Sequence, residues 1–392
     1  MTEPLGRLLV VRLGSLGDLV HTLPAVAAIR LVYPFAQIDW LVEAGHRELL
    51  DLVPVISSTI PLRKASGGGW LQALRELRAR QYDVAIDFQG LVKSAALARL
   101  SGAARVIGFD RASAREGLAA LFYTERVATG DAGHVIDKNL RLAARLGAPQ
   151  HRREFPILPI PSAAFDELVA GGLQRFALLN CGAAWPNKRW PADRFGRLAS
   201  WLRERYGLMS VALWGPGERE LADEVVRHAD GAAMAAPPTS LTDLVAIAAE
   251  AELMVSGDTG PTHIAAALGT PVVGLFGPTS PDRNGPWVDA DVLVSRYDTC
   301  ECHYQRECRH GHGEAWCLGT IGEDDVRDAV ARRLAARDPG ADPSEPQPDP
   351  AEPRPDPMEP RTFRSGEPPF IPRARTPGRS RSGPAPAQTS GG

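Results

Sequence analysis

The chain lacks any apolar run of about 18 residues, the length a bilayer-spanning helix needs, so no transmembrane segment is expected. It also lacks a charge excess. Lys and Arg number 44 against 47 Asp and Glu, a formal net charge of −3. A dedicated nucleic-acid binder is normally markedly basic, so nucleic acid is excluded as the expected partner. Residues 1–9 do not show the charged, then apolar, then small layout of a secretory signal, and the expected location is the cytoplasm. Cysteine is sparse. Cys181 stands alone, while Cys300, Cys302, Cys308 and Cys317 crowd into one short segment. In a reducing compartment such crowding suggests a metal or free thiols before disulfides.

What is present suffices for two domains of ordinary size: 392 residues, 44% hydrophobic and 23% charged. Residues 7–13 form a nearly continuous apolar run, as a strand buried on both faces requires, and end at Gly14-Ser15-Leu16-Gly17-Asp18. Helical spacing follows over 19–31. Strands are expected at 38–42, 84–88 and 106–109, with helices at 70–80 and 91–100 between them. The second half repeats this style, with strands at 176–180, 211–214, 253–256 and 272–276 and helices at 192–206, 218–228 and 241–249. Alternating signals of this kind mean open α/β sheets. A polar, Pro-bearing stretch at 150–164 divides the chain into domains over 1–160 and 161–337, and ligands in such a pair bind beyond the strand ends, in the cleft.

From residue 338 to 392 Pro, Arg, Ser, Gly and Glu dominate, and this tail is expected to be disordered. Its acidic first part and basic last part read as a solvated extension. A sharper reading is an electrostatic tether to an anionic membrane, helped by Phe363 and Phe370.

The most informative stretch is Ser256-Gly257-Asp258-Thr259-Gly260-Pro261-Thr262-His263. It joins an apolar run to a small-residue helix. Pro261 suits the first helical turn, and the free N–H groups there favour a phosphate. His263 lies just inside that helix, where a protonated imidazole is disfavoured. It reads either as a neutral hydrogen-bonding group or as a packed histidine. Asp18 sits where the first strand meets its helix and reads as an N-cap or as a general base. Lys188 in Trp185-Pro186-Asn187-Lys188-Arg189-Trp190-Pro191 can offset a phosphate leaving group or be a solvated lysine. Glu218 opens a helix and suits either its dipole or ribose hydroxyls. Lys93, after Asp87-Phe88-Gln89-Gly90, can meet an acidic acceptor. Cys300, Cys302, Cys308 and Cys317, with His303, His310 and His312 among them, offer four soft ligands for a structural zinc. The alternative is a local disulfide or packed thiols.

Taken in order, these motifs resemble glycosyltransferase family 9, the bacterial lipopolysaccharide heptosyltransferases. The resemblance runs over about 8–334. Gly14-Ser15-Leu16-Gly17-Asp18 with His21-Thr22-Leu23-Pro24 is similar to the family's first signature, and Asp87 to Ser94 to its second. Phe276-Gly277-Pro278-Thr279 and the cysteine segment look most like the second-heptose branch. The resemblance implies a GT-B fold, two facing Rossmann-like domains. It implies inverting transfer of heptose from ADP-L-glycero-D-manno-heptose to a Kdo/heptose-lipid A acceptor, a lipid-linked acidic saccharide at the inner membrane, with no cofactor or catalytic metal. By matched position Asp18 is the base and Lys188 stabilises the departing diphosphate. Glu218 holds ribose, Asp258 binds heptose hydroxyls, and Thr259 and Gly260 cradle phosphate with His263 close by. Arg63, Lys64 and Lys93 meet the acceptor. One departure is that 182–186 is Ala-rich where the family often carries hydroxyl donors. Two competing readings are a nucleotide-sugar 2-epimerase on the same plan and a non-catalytic nucleotide-binding or zinc-bearing module.

Overall fold

The computed structural model describes residues 5–63, 68–130, 132–309 and 316–336. Lys64, His310, His312 and the tail at 338–392 lie outside the described residues.

The described strands form two parallel six-stranded sheets. The first contains β1 (Arg7–Val11), β2 (Gln37–Glu43), β3 (Ser58–Leu62), β4 (Val84–Asp87), β5 (Arg105–Phe109) and β6 (Glu125–Val127), in the order β3-β2-β1-β4-β5-β6. The second contains β7 (Phe176–Asn180), β8 (Met209–Leu213), β9 (Ala233–Ala235), β10 (Leu253–Gly257), β11 (Val272–Phe276) and β12 (Val292–Ser295), in the order β12-β11-β10-β7-β8-β9. Strand order reverses between β1 and β4 and again between β7 and β10. These are the switch points beyond which ligands bind in open α/β sheets. This is the GT-B arrangement of two Rossmann-like sheets.

The central strands match the apolar runs because both their faces are covered. β3, β6, β9 and β12 were not expected. They are edge or near-edge strands, short and only partly buried, and β3 carries Pro61, so their apolar signal is weak.

Helices of the first half are α1 (Leu16–Val20), α2 (Leu23–Val32), α3 (Arg47–Asp51), α4 (Gly69–Ala79), α5 (Val92–Leu100) and α6 (Val135–Ala143). The single helix expected over 19–31 is thus two. Pro24 sits in the first turn of α2, where it tolerates a new start but not a continuing helix. The second half contributes α7 (Ala163–Ala170), α8 (Ala192–Tyr206), α9 (Arg219–Arg227), α10 (Leu241–Glu250), α11 (Gly260–Leu268), α12 (Pro281–Asn284) and α13 (Glu323–Ala335).

Helices α4 and α5 and the 3₁₀ turn Gly117–Phe122 cover one face of the first sheet. On its other face α2 and α6 build a core that continues into the second sheet through Leu178, Val211 and Met254. Helices α8, α9 and α13 close the far side. The halves also meet directly, since α1 packs on α11.

Candidate active site

Beyond β1 the chain turns into α1, where Asp18 occupies the first turn. Asp18 is not the N-cap; Ser15 is, and Asp18 Oδ2 accepts the Ser15 N–H at 3.1 Å. Its other oxygen, Oδ1, lies 2.5 Å from Arg12 Nη2. Burial pushes the Asp18 carboxyl up. Arg12, the Ser15 N–H and the more distant Arg115 and Arg283 outweigh it, and the group is held below the usual carboxylate range. Arg12 itself is buried, and a second guanidinium nitrogen donates to the Phe88 carbonyl.

The second switch point gathers the other candidates. Lys188 ends a 3₁₀ turn, Pro186–Lys188, and its Nζ lies 2.6 Å from Asp258 Oδ2 and 4.6 Å from the Trp185 ring centroid. Asp258 Oδ1 receives His263 Nε2 at 3.1 Å. Burial works against the Asp258 anion, but His263 and Lys188 more than compensate, and its carboxyl lies far below the usual range. The three side chains form one buried chain of charge-assisted contacts.

Glu218 caps α9 and lies over two glycines. A Cβ on Gly182 would come within 2.0 Å of its Oε2, so the carboxylate cannot lie there beside a larger residue; one on Gly215 would approach it to 3.1 Å, a tight but smaller conflict. Arg189 Nη2 donates to Glu218 Oε1 at 2.9 Å and to the Ala183 carbonyl at 2.7 Å. The Ala-rich stretch is thus braced from behind by Arg189.

The Thr259 hydroxyl, expected to point at a ligand, is instead engaged at the strand ends. It accepts from Asn180 Nδ2 at 3.0 Å and pairs with the hydroxyls of Thr262 at 2.9 Å and Ser256 at 3.1 Å. The groups of α11 left available to an anion are therefore its first-turn N–H groups. Ser256 and Thr262 lie in the stretch singled out in the sequence, while Asn180 drew no attention because it is an ordinary small polar residue at the end of an apolar run.

α1 and α11 interlock. A Cβ on Gly17 would come within 2.4 Å of His263 Cδ2, and one on Gly260 within 2.6 Å of Leu16 Cδ2. His21, at the end of α1, sets its ring 4.3 Å from that of His263, centroid to centroid, and 5.5 Å from that of His134. His134 Nε2 contacts the Gly285 carbonyl at 2.9 Å, just past α12. Burial, reinforced by His263 and His134, pushes the His21 imidazole well below the usual histidine range. The Asp18 helix is thereby seated against the helix that carries Gly260 and His263, just after Asp258. Arg12 is the neighbour of Asp18 that the sequence reading missed; His21 was quoted only as part of a motif, with no role. The one available signal was an arginine at the end of a run, Leu8 to Val11, that otherwise admits no charge.

Arg63, just past β3, and Lys93, in the first turn of α5, are both exposed on the first half. Neither is brought into contact with Asp18. The motif residue Asp87 is structural: it is buried and accepts from Ser94 Oγ at 2.8 Å, Tyr123 Oη at 2.7 Å and the Gln89 N–H at 2.8 Å.

No disulfide joins the four clustered cysteines, all of which lie among the described residues. Burial, with the Cys300 thiol close by, pushes the Cys317 thiol up to about 12. His303 stacks on Tyr297 at 4.0 Å and bonds the Tyr297 carbonyl at 2.8 Å, away from the sulfurs. Among the described residues no group of three or more His, Cys, Asp or Glu side chains is arranged to hold a metal ion. The segment does brace the Lys188 loop. Asn187 Nδ2 donates to the Gln305 carbonyl at 2.9 Å and Trp316 Nε1 to the Arg189 carbonyl at 3.2 Å.

Residues 70–313 match the family model described as glycosyltransferase family 9 (heptosyltransferase). The chain is 31% identical over 325 residues to lipopolysaccharide heptosyltransferase 1 of Pseudomonas aeruginosa, covering 78% of this chain and 88% of that protein. It is 32% identical over 295 residues to the protein of the same name from Escherichia coli K12, covering 71% and 90%. Among solved structures it resembles the E. coli heptosyltransferase WaaC with ADP at a TM-score of 0.67 and 27% identity, covering 84% of this chain and 99% of that one. E. coli ADP-heptose lps heptosyltransferase II, at a TM-score of 0.68 and 22% identity over 84% and 99% of the two chains, shares the fold. A family match across most of the folded chain, with relatives above 30% identity along nearly their whole length, leads to one conclusion: this chain belongs to glycosyltransferase family 9, the heptosyltransferases, and is a glycosyltransferase.

Proposed function

We propose that the chain transfers heptose from ADP-L-glycero-D-manno-heptose to the inner core of lipopolysaccharide, on a Kdo/heptose-lipid A acceptor, with inversion and without a catalytic metal. The observation that carries this reading is the seating of the Asp18 helix against α11, the helix of Gly260 and His263, through Gly17 against His263 and Leu16 against Gly260. This contact supports a base on one half working with a sugar-phosphate cradle on the other. The solved E. coli relative has been captured with ADP and with ADP-2-deoxy-2-fluoro heptose, which supports this donor class.

In this reading the half over 1–160 binds acceptor and the half over 161–337 binds donor. Asp18 takes the proton of the acceptor hydroxyl as its oxygen attacks the anomeric carbon from the face opposite the diphosphate. The bond from that carbon to the diphosphate oxygen breaks, and ADP leaves with its electron pair. Lys188 and the N–H groups opening α11, at Gly260 and Thr262, meet the growing negative charge. Thr259 places that turn through its hydroxyl network. Asp258 receives heptose hydroxyls, His263 holds Asp258, and Glu218 binds ribose. Arg63, Lys64 and Lys93 attract the acidic acceptor, and the chain works peripherally on the cytoplasmic face of the inner membrane. Family membership favours transfer over the epimerase and non-catalytic readings.

A donor panel tests the proposal. Nucleotide release is followed with ADP-heptose and other nucleotide sugars against a heptose-deficient acceptor, with wild type and Asp18→Asn. ADP-heptose turns over in wild type, while Asp18→Asn loses about 10²–10⁴-fold in turnover and keeps ADP binding. Product from another nucleotide sugar but none from ADP-heptose defeats the donor assignment, and unchanged turnover in Asp18→Asn removes the base.

A further inference from the structure

Helices α4 and α5 and the 3₁₀ turn Gly117–Phe122 form a single layer, with Ala73, Leu77, Ala95, Leu97, Ala119 and Ala120 turned into the sheet. The outer side of this layer is unusual in two respects. Leu71, Leu118 and Leu121 stand 59%, 61% and 73% exposed. A 3₁₀ turn has three residues per turn, so Leu118 and Leu121 eclipse one another and project from one line. A scattered exposed leucine is ordinary on a surface, but an aligned pair backed by buried alanines is a small apolar ridge.

The second respect is charge. The three elements expose Arg75, Arg78, Lys93 and Arg99. Their sole acid, Glu76, is held by Arg80 at 2.6 Å. An apolar ridge on a layer richer in cations than acids, with Glu116 at its edge accepting the Val92 N–H at 2.7 Å, is the pattern of a surface that lies on anionic lipid, apolar groups entering the interface and cations meeting headgroup phosphates. The layer also adjoins the acceptor side of the cleft. Lys93 opens α5, and Arg115, two residues before the 3₁₀ turn, is near enough for its charge to act on Asp18.

We propose that this layer is the chain's membrane-docking surface, with Leu118 and Leu121 entering the interface of an anionic phospholipid bilayer and Arg75, Arg78, Lys93 and Arg99 against its headgroups. The proposal rests on the reading above that the acceptor is lipid-linked. Docked this way, the acceptor-binding half faces the bilayer from which a lipid-anchored saccharide must be presented.

The test is co-sedimentation of the full chain with phosphatidylethanolamine/phosphatidylglycerol vesicles and with phosphatidylcholine vesicles, at low and high salt. Wild type binds the anionic vesicles, and binding falls as salt rises. Leu118→Asp with Leu121→Asp weakens that binding about tenfold or more. Arg75→Gln with Arg99→Gln weakens it and flattens its salt dependence. Both variants keep wild-type turnover on a water-soluble, deacylated acceptor, which reports an intact fold. Anionic-vesicle binding unchanged in the leucine variant overturns the proposal, as does equal binding of wild type to neutral vesicles. A leucine variant altered only in its self-association assigns the ridge to a protein contact and likewise overturns it. Wild type that binds vesicles but transfers no heptose to the soluble acceptor defeats the functional reading and leaves the docking surface standing.

Discussion

Arg12 and Asp18 are six residues apart in sequence and form a partly buried ion pair, Nη2 to Oδ1 at 2.5 Å, at the mouth of the first switch point. The arginine ends the apolar run of β1, while the aspartate lies in the first turn of α1. The pair fixes the orientation of the proposed base and keeps it ionised.

This pairing sets a pH dependence. Asp18 is held below the usual carboxylate range because Arg12 and the Ser15 N–H outweigh the opposing effect of burial. Arg12→Met removes the main opposing charge, so the Asp18 carboxyl titrates higher. The acid limb of kcat/KM then moves to higher pH by about one unit or more, and Arg12→Lys restores most of the shift. An acid limb unmoved in Arg12→Met shows that the limb belongs to another group. A carboxylate held low stabilises the fold above its unfolded pKa, and that stability is lost as pH falls through the lowered folded value.

The Lys188–Asp258 pair separates stability from chemistry. Removing one partner of a buried pair strands the other charge, so Lys188→Met is expected to cost about 3 kcal/mol in chemical denaturation. Lys188→Met with Asp258→Asn, which strands no charge, regains much of that stability while turnover stays depressed. A double variant less stable than the single one contradicts the stranded-charge account.

Gly17→Ala tests the contact between the halves. The added Cβ would come within 2.4 Å of the His263 ring, which is buried and held by Asp258, so α1 and α11 must part. Turnover is expected to fall about tenfold or more, because small misplacements of reacting groups are costly. ADP binding, measured by titration calorimetry, should stay near wild type, since its proposed contacts lie within the second half. A parallel loss of ADP affinity means the donor site itself is disturbed.

The buried imidazoles predict acid sensitivity. Burial, then His263 and His134, press the His21 imidazole well below the usual range, with Arg12 adding to the effect and Asp258 opposing it. Burial lowers His134 as well, against the Gly285 carbonyl and Asp137. The unfolded chain takes up protons below about pH 6.5 while the folded one does not, so stability falls as pH drops from there, by up to about 1.4 kcal/mol per pH unit for each histidine. Urea unfolding at pH 7.5 and 5.5 reads this slope. His21→Leu should make it shallower, and an identical slope in that variant refutes the assignment.

Metal removal is a further check. Dialysis against a chelator should leave turnover intact, since the proposed leaving-group charges are met by Lys188 and the α11 N-terminus. Activity lost and then restored by Mg²⁺ or Mn²⁺ contradicts that mechanism. Zinc near one per chain in the purified protein would instead assign the four clustered cysteines a ligand role.

Much was legible from local pattern. Continuous apolar runs marked the buried central strands, Pro261 marked the first turn of α11, and the order of short motifs pointed to the family. These features depend on neighbours within a few residues, which is the range over which periodicity, capping and turn chemistry act. Tertiary structure decided the rest. It turned the Thr259 hydroxyl into a network with Asn180, some 79 positions away, and set His21 against His263 across the two halves. It placed Leu118 and Leu121 on an outer face beside the cations of α4 and α5, where the sequence shows only an apolar stretch. The physical reason is common to all three. Whether a polar atom finds a buried partner or an apolar side chain meets solvent depends on which elements pack together, and only the folded chain brings those elements into contact.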